Sequence, residues 1–296
     1  MTTPQTPSPA PTGGNDENGR NRRLNWTLIS GLFIAVIVIV AVVILAVPST
    51  RPKLDGPNAA GPSTTVARPP SADSGTDLRS QFGTPRVDIN GRRLEVPSNA
   101  VGIALPQTGG PAFTATDPEW LTGPPRGLMW QYLFNGVAMP FSTSDGPSKI
   151  VNGVPEGFAR TPQGAVMAAW QLTFRLTYET DGGRRQSLLD RGTISDGSAG
   201  AADARQQLER LDGRTQSTTW AGGGGPGNVP VGVRVSEFSG EYALVSFIFG
   251  LPGDTSKGVR TDMQVVWRDG MWKLPLPALG TGAVENQLDG RWSRRW

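Results

Sequence analysis

The run TPQGAVMAAWQLTFRLTY, Thr161–Tyr178, decides the fold. Thr161 can cap a helix through its hydroxyl, and Pro162 suits a first helical position, where an N–H would have no partner. Ala165, Val166, Ala169, Trp170, Leu172, Phe174 and Leu176 then cover more than half of the helix circumference, leaving Gln171, Arg175 and Tyr178 a narrow remaining face. A helix this apolar lies against a sheet and not on a surface. Gly182-Gly183 is expected to end it. A shorter helix is expected from about Ala201 to Leu211, with Ala201, Ala204, Leu208 and Leu211 on one side.

Strands follow downstream: Val231 to Phe238, a tight turn at Ser239-Gly240, then Tyr242 to Phe249, Gly258 to Trp267 and Met271 to Leu276. Three two-residue turns of the Asn-Gly or Asp-Gly kind, which tolerate positive φ, predict hairpins. Around Asn90-Gly91 the expected pairs are Val87/Leu94, Asp88/Arg93 and Arg86/Glu95; around Asn135-Gly136 they are Phe134/Val137, Leu133/Ala138, Tyr132/Met139 and Trp130/Phe141. Around Asp269-Gly270, Trp267 should face Trp272 and Val265 should face Leu274. The fold class expected for this outer part is α+β: helices and then long antiparallel strands give the order of a ketosteroid-isomerase-like (nuclear-transport-factor-two-like) cone, preceded by β-hairpins.

Upstream, Leu28–Val47 is an uncharged apolar run of about 30 Å as a helix, the thickness of a bilayer core. It predicts a single retained transmembrane helix, with Pro48 at its exit. Arg20, Arg22 and Arg23 precede the run, and Arg51 and Lys53 follow it, so the N-terminus is expected in the cytoplasm and the rest outside the plasma membrane. The organisation expected is a disordered cytoplasmic tail over 1–27, the span over 28–47, a Pro-rich linker over 48–81, an α+β domain over 82–279 and an Arg/Trp tail over 280–296.

Composition excludes much chemistry. The 296 residues include no Cys and no His, so disulfides, Cys-ligated metals, thiol nucleophiles and imidazole bases are ruled out. Gly (39) and Pro (26) make up about 22% of the chain, yet 7% aromatic and 18% charged residues still permit an ordinary core. The excess of basic over acidic residues is 28 to 25 and is spread along the chain, which argues against nucleic acid as a partner. Gly222–Gly227 formally holds a G-x-G-x-x-G, but it follows no strand and opens no helix, so a loop is expected. An isomerase-like site would need a buried acid and one of Tyr132, Tyr178 or Tyr242; nothing selects among the tyrosines. No cofactor is implied.

Residues 127–180 and 260–276 carry a resemblance. The segments GLMWQYLFNGVAMPFSTSDGP and GFARTPQGAVMAAWQ resemble an uncharacterised family of actinobacterial single-pass membrane proteins, through Trp130, Asp145-Gly146-Pro147 and Gly157 to Ala165. The closing WRDGMWK, Trp267 to Lys273, resembles the terminal hairpin of cone-fold domains. The overall plan of tail, span, linker and outer domain resembles the bitopic assembly factors of conjugation and type IV secretion. That resemblance implies a non-enzymatic scaffold that contacts envelope proteins, while residues 28–47 contact the lipid bilayer. Trp130 and Phe141 are the expected contact patch on the sheet. In the ending RWSRRW, Arg294, Arg295 and Trp296 either reach a partner through cation–π and stacking contacts or dock on their own domain. The rival reading is a small-ligand binder or a cryptic enzyme with an open interior.

Overall fold

The computed structural model describes residues 78–219, 225–251, 254–277, 282–285 and 291–296. The chain runs from a 3-10 turn, Leu78–Gln81, into β1 (Arg86–Val87) and β2 (Arg93–Leu94), then β3 (Met129–Leu133), β4 (Val137–Phe141), β5 (Lys149–Val151) and β6 (Val154–Glu156). Helices α1 (Pro162–Tyr178) and α2 (Gly182–Gly192) lead to β7 (Thr193–Ser195) and α3 (Ala199–Arg210). Strands β8 (Gly232–Phe238), β9 (Tyr242–Leu251), β10 (Asp254–Arg268), β11 (Met271–Leu276) and β12 (Gly282–Glu285) complete the order.

Helix α1 begins as expected. The Thr161 side chain accepts the Gly164 N–H and Pro162 fills the first position. Every residue of α1 except Thr173 is buried, because the helix is enclosed from two sides. On one side lies the main sheet, in the order β7-β11-β10-β9-β8 with β12 also on β10. The Trp170 ring meets Phe247 there edge-to-face at 4.8 Å and lies tilted against Phe249 at 5.4 Å. On the other side lies the β3–β4 hairpin, to which Trp170 Nε1 donates at Ala138 O (2.7 Å) and Gln171 Nε2 at Pro140 O (2.6 Å).

Several expectations change. Gly182-Gly183 opens α2 instead of closing α1, because Asp181 caps the new helix by accepting the Arg184 N–H. The Asp269-Gly270 hairpin has the expected register, Trp267 opposite Trp272, with the rings 5.2 Å apart and edge-to-face. The other two hairpins are shifted by one residue. In β1–β2, Arg86 faces Leu94 and Val87 faces Arg93, since the Asp88 carboxylate draws Asn90 N–H and Arg92 N–H into a wider loop. In β3–β4, Leu133 faces Val137, with both Phe134 and Asn135 at positive φ in the turn.

The expected fold class, a single transmembrane helix plus a ketosteroid-isomerase-like cone of antiparallel sheet, is corrected. The described residues form a mixed sheet with three helices: α2 feeds directly into β7, which pairs parallel to β11. None of those helices is long and apolar enough to cross a membrane. The expected span at 28–47, the tail before it and the linker as far as residue 77 lie outside the described residues.

Candidate functional site

The three segments that carry the sequence resemblance meet in one buried knot. After β4, Ser142 Oγ accepts the N–H groups of Asp145 (3.0 Å) and Gly146 (2.7 Å). Asp145 Oδ1 accepts the Thr161 hydroxyl at 2.7 Å, while Oδ2 accepts the Ser144 hydroxyl at 2.5 Å and Ala112 N–H at 3.1 Å. Trp272 Nε1 donates to Ala159 O at 3.0 Å, bringing in the terminal hairpin. Both carboxylate oxygens of Asp145 are thus held by donors of the chain itself, and the arrangement fixes the start of α1.

A second polar seam runs beside it. Gln131 clasps Ile103 through both its N–H and its C=O, at 2.9 and 2.7 Å. Arg175, wholly buried, donates to Gln171 Oε1 (3.0 Å), Val101 O (2.9 Å) and Gly153 O (3.5 Å). Burial holds its guanidinium down at a pKa of about 9, with the Glu179 charge opposing that shift. Buried Glu179 in turn takes two hydrogen bonds from Arg184, at 3.0 and 2.9 Å. These contacts bind the extended segment around residues 101–103 to β3 and α1, and the β5–β6 turn to α1. The tyrosines stand at separate places: Tyr178 donates to Ser217 O at 2.7 Å, and Tyr132 lies under Arg86 at 4.3 Å. Among the described residues no group of acidic side chains is arranged to hold a metal ion.

The outer surface is different near the Arg/Trp tail. Val233 and Ser293 exchange two main-chain hydrogen bonds, of 2.9 and 2.8 Å, on the edge of β8. Trp292 and Trp296 are buried, 5% and 7% exposed, and Arg234 sits over the Trp292 ring at 4.6 Å. Arg92, whose pKa burial lowers, donates from Nη1 to Pro230 O (2.9 Å) and Trp296 O (2.6 Å). Arg295 pairs with Glu119 at 2.6 Å. The large apolar side chains left exposed among the described residues are Val87 (71%), Ile89 (55%) and Leu121 (46%). Val87 and Ile89 stand on the hairpin that Arg92 ties to Trp296, and Leu121 follows Glu119 in the turn that Arg295 holds. The exposed apolar groups thus lie on the two segments that Arg92 and Glu119 connect to the tail.

Phe141 is fully buried and Trp130 is 8% exposed, 5.3 Å from Trp170, so the expected patch on the sheet is corrected: these rings belong to the core. Both lie on a hairpin whose two faces are covered, by α1 and by the segment ahead of β3. Of the tail residues, Trp296 docks on its own domain and Arg295 is half exposed at the surface. Val87, Ile89, Leu121 and Arg92 were not singled out from the sequence. The one-residue shift of the first hairpin is what turns Val87 outward, and Asp88 was the signal for it.

A family model described as a domain of unknown function (DUF8175) matches residues 95–291, about two thirds of the chain. No curated protein and no solved structure matches.

Proposed function

The chain belongs to the DUF8175 family, and from that premise we propose that it is a non-enzymatic envelope protein, held at the plasma membrane through residues 28–47, whose outer part is a protein–protein interaction scaffold. The observation that carries this reading is the packing between α1 and the sheet, where the rings of Trp170, Phe247 and Phe249 are buried against one another and a cone-pocket binder would keep a cavity. The exposed Val87, Ile89 and Leu121 beside the Arg294-Arg295 tail supply a mixed apolar and basic contact surface. Components of a conjugation or secretion apparatus are the partners proposed, on the architectural resemblance alone.

The test is a mild-detergent pull-down of the tagged full-length protein from its native membrane after brief cross-linking. A chain lacking residues 82–296 serves as control, beside a Val87→Glu/Ile89→Glu variant. Envelope proteins retained by the wild type and lost from both others support the scaffold and its surface. Emergence of the protein alone ends this reading and favours the rival, a binder whose retained small ligand native mass spectrometry would then show.

A further inference from the structure

Strand β8 ends the sheet path on one side, and its outer edge is met by the tail at the single bridge between Val233 and Ser293. Among the described residues few buried side-chain polar atoms lack a hydrogen-bond partner, Gln163 Oε1 being one. Three of them, Arg234 Nε, Trp292 Nε1 and Ser293 Oγ, sit at this one contact. Native chains pair nearly all such groups, and each one left unpaired weakens the contact that buries it. The tail is thus anchored by two indoles, by the Arg92 bond to Trp296 O and by the Arg295–Glu119 pair, but poorly satisfied where it meets the edge. Arg234 has the Trp292 ring as its partner among the described residues, and that ring offers its Nε no acceptor.

We propose that the β8 edge is the place where this protein takes up an extended acidic segment of another protein, and that residues 291–296 occupy that place until it arrives. The proposal rests on the scaffold reading and adds to it a second contact, the β8 edge, with its partner chemistry. An incoming strand can repeat the two main-chain bonds that Ser293 makes to Val233, the usual mode of strand addition to an open edge. An Asp or Glu opposite Arg234 supplies the acceptor that Trp292 cannot, as a charge-assisted hydrogen bond. Once displaced, Trp292 Nε1 and Ser293 Oγ recover hydrogen bonds from water.

The first arm is hydrogen exchange on the full-length protein in detergent. Val233 N–H is protected by the tail bond alone, so it should exchange roughly a hundredfold faster than amides in the middle of β9, as locally opening contacts do. Exchange as slow as that of β9 overturns the proposal. The second arm places a photoreactive residue at exposed Ser236 in a Val233→Cys/Ser293→Cys background, in which oxidation ties the tail to the edge and the chain has no other Cys. The reduced form should cross-link a peptide of another protein containing Asp or Glu. The oxidised form, and the reduced form with Arg234→Glu added, should lose it. Capture undiminished by the disulfide, or cross-links confined to the protein's own tail or a second copy, overturns the proposal. If the wild-type pull-down retains envelope proteins while Val233 exchanges slowly, this inference fails alone. If it retains none, the scaffold reading fails with it.

Discussion

Arg175 lies on the face of α1 that periodicity leaves to polar residues, yet it meets carbonyl oxygens and no water. The pattern of apolar positions finds that face but not the extended segment around Val101 that closes over it, because that segment contacts the helix from 74 residues away. The buried cation has a consequence for pH. Its pKa in the fold is about 9, below the ordinary arginine range. Between those values the unfolded chain keeps a proton that the folded chain has released, so stability rises with pH in that window. Arg175→Met lacks this response. The wild type should therefore gain on Arg175→Met between about pH 8 and about pH 10.5, read from denaturant midpoints. Arg175→Ala should cost about 3–5 kcal/mol at neutral pH, more than Arg175→Met, since it adds a cavity to the unpaired carbonyls. The Asp145 knot yields a second residue-scale expectation. Thr161→Ala should cost about 1–2 kcal/mol through the lost cap. Combined with Asp145→Asn, it should show coupling of at least about 0.5 kcal/mol in a double-mutant cycle, because the two side chains share one hydrogen bond.

The elements were legible where their signals are local. The cap at Thr161, the apolar α1, the strands β8 to β11 and the Trp267–Trp272 pair all follow from neighbouring residues. The two shifted hairpins were not legible, since their registers depend on local intervention: the Asp88 carboxylate holds two amides of its own turn and that of Val229, and at Phe134 positive φ admits a third turn residue. The start of α2 was hidden because two glycines read as a stop unless Asp181 is recognised as a cap. Glycine also separates the two helix starts in a measurable way. A Cβ at Gly164 would strike the Ala159 carbonyl, whereas one at Gly182 would meet nothing within 4 Å. Gly164→Ala should lower the unfolding midpoint despite the better helix propensity of Ala. Gly182→Ala should raise stability by up to about 1 kcal/mol, the ordinary propensity gain.

For the whole molecule, the mixed sheet holds two short strands that the expected antiparallel cone lacked, β7 and β12, and β7 alone makes it mixed. Thr193–Ser195 is too brief and too polar to register as a strand in a sequence that has just left a helix, and it pairs because β11 offers an edge. The tail shows the same limit, since its place depends on partners at Arg92, Glu119 and Val233 from separate parts of the chain. Those partners are unequal. The Arg295–Glu119 pair has side chains about half exposed, so Arg295→Ala should change stability by no more than about 1 kcal/mol. Arg92 is part-buried and donates from the β1–β2 hairpin to two main-chain oxygens, Pro230 O just ahead of β8 and Trp296 O in the tail. Arg92→Ala leaves both acceptors short of a donor and should cost about 1–3 kcal/mol. Because the Arg92 bonds run to neutral carbonyls, the loss should persist at high salt, while any effect of Arg295→Ala should fade there. Hydrogen exchange over 291–296 separates local from global effects. Faster exchange confined to the tail and residues 86–94 in Arg92→Ala is expected if Arg92 fastens the two together. A uniform rise across β9 would mean that it serves the core as a whole.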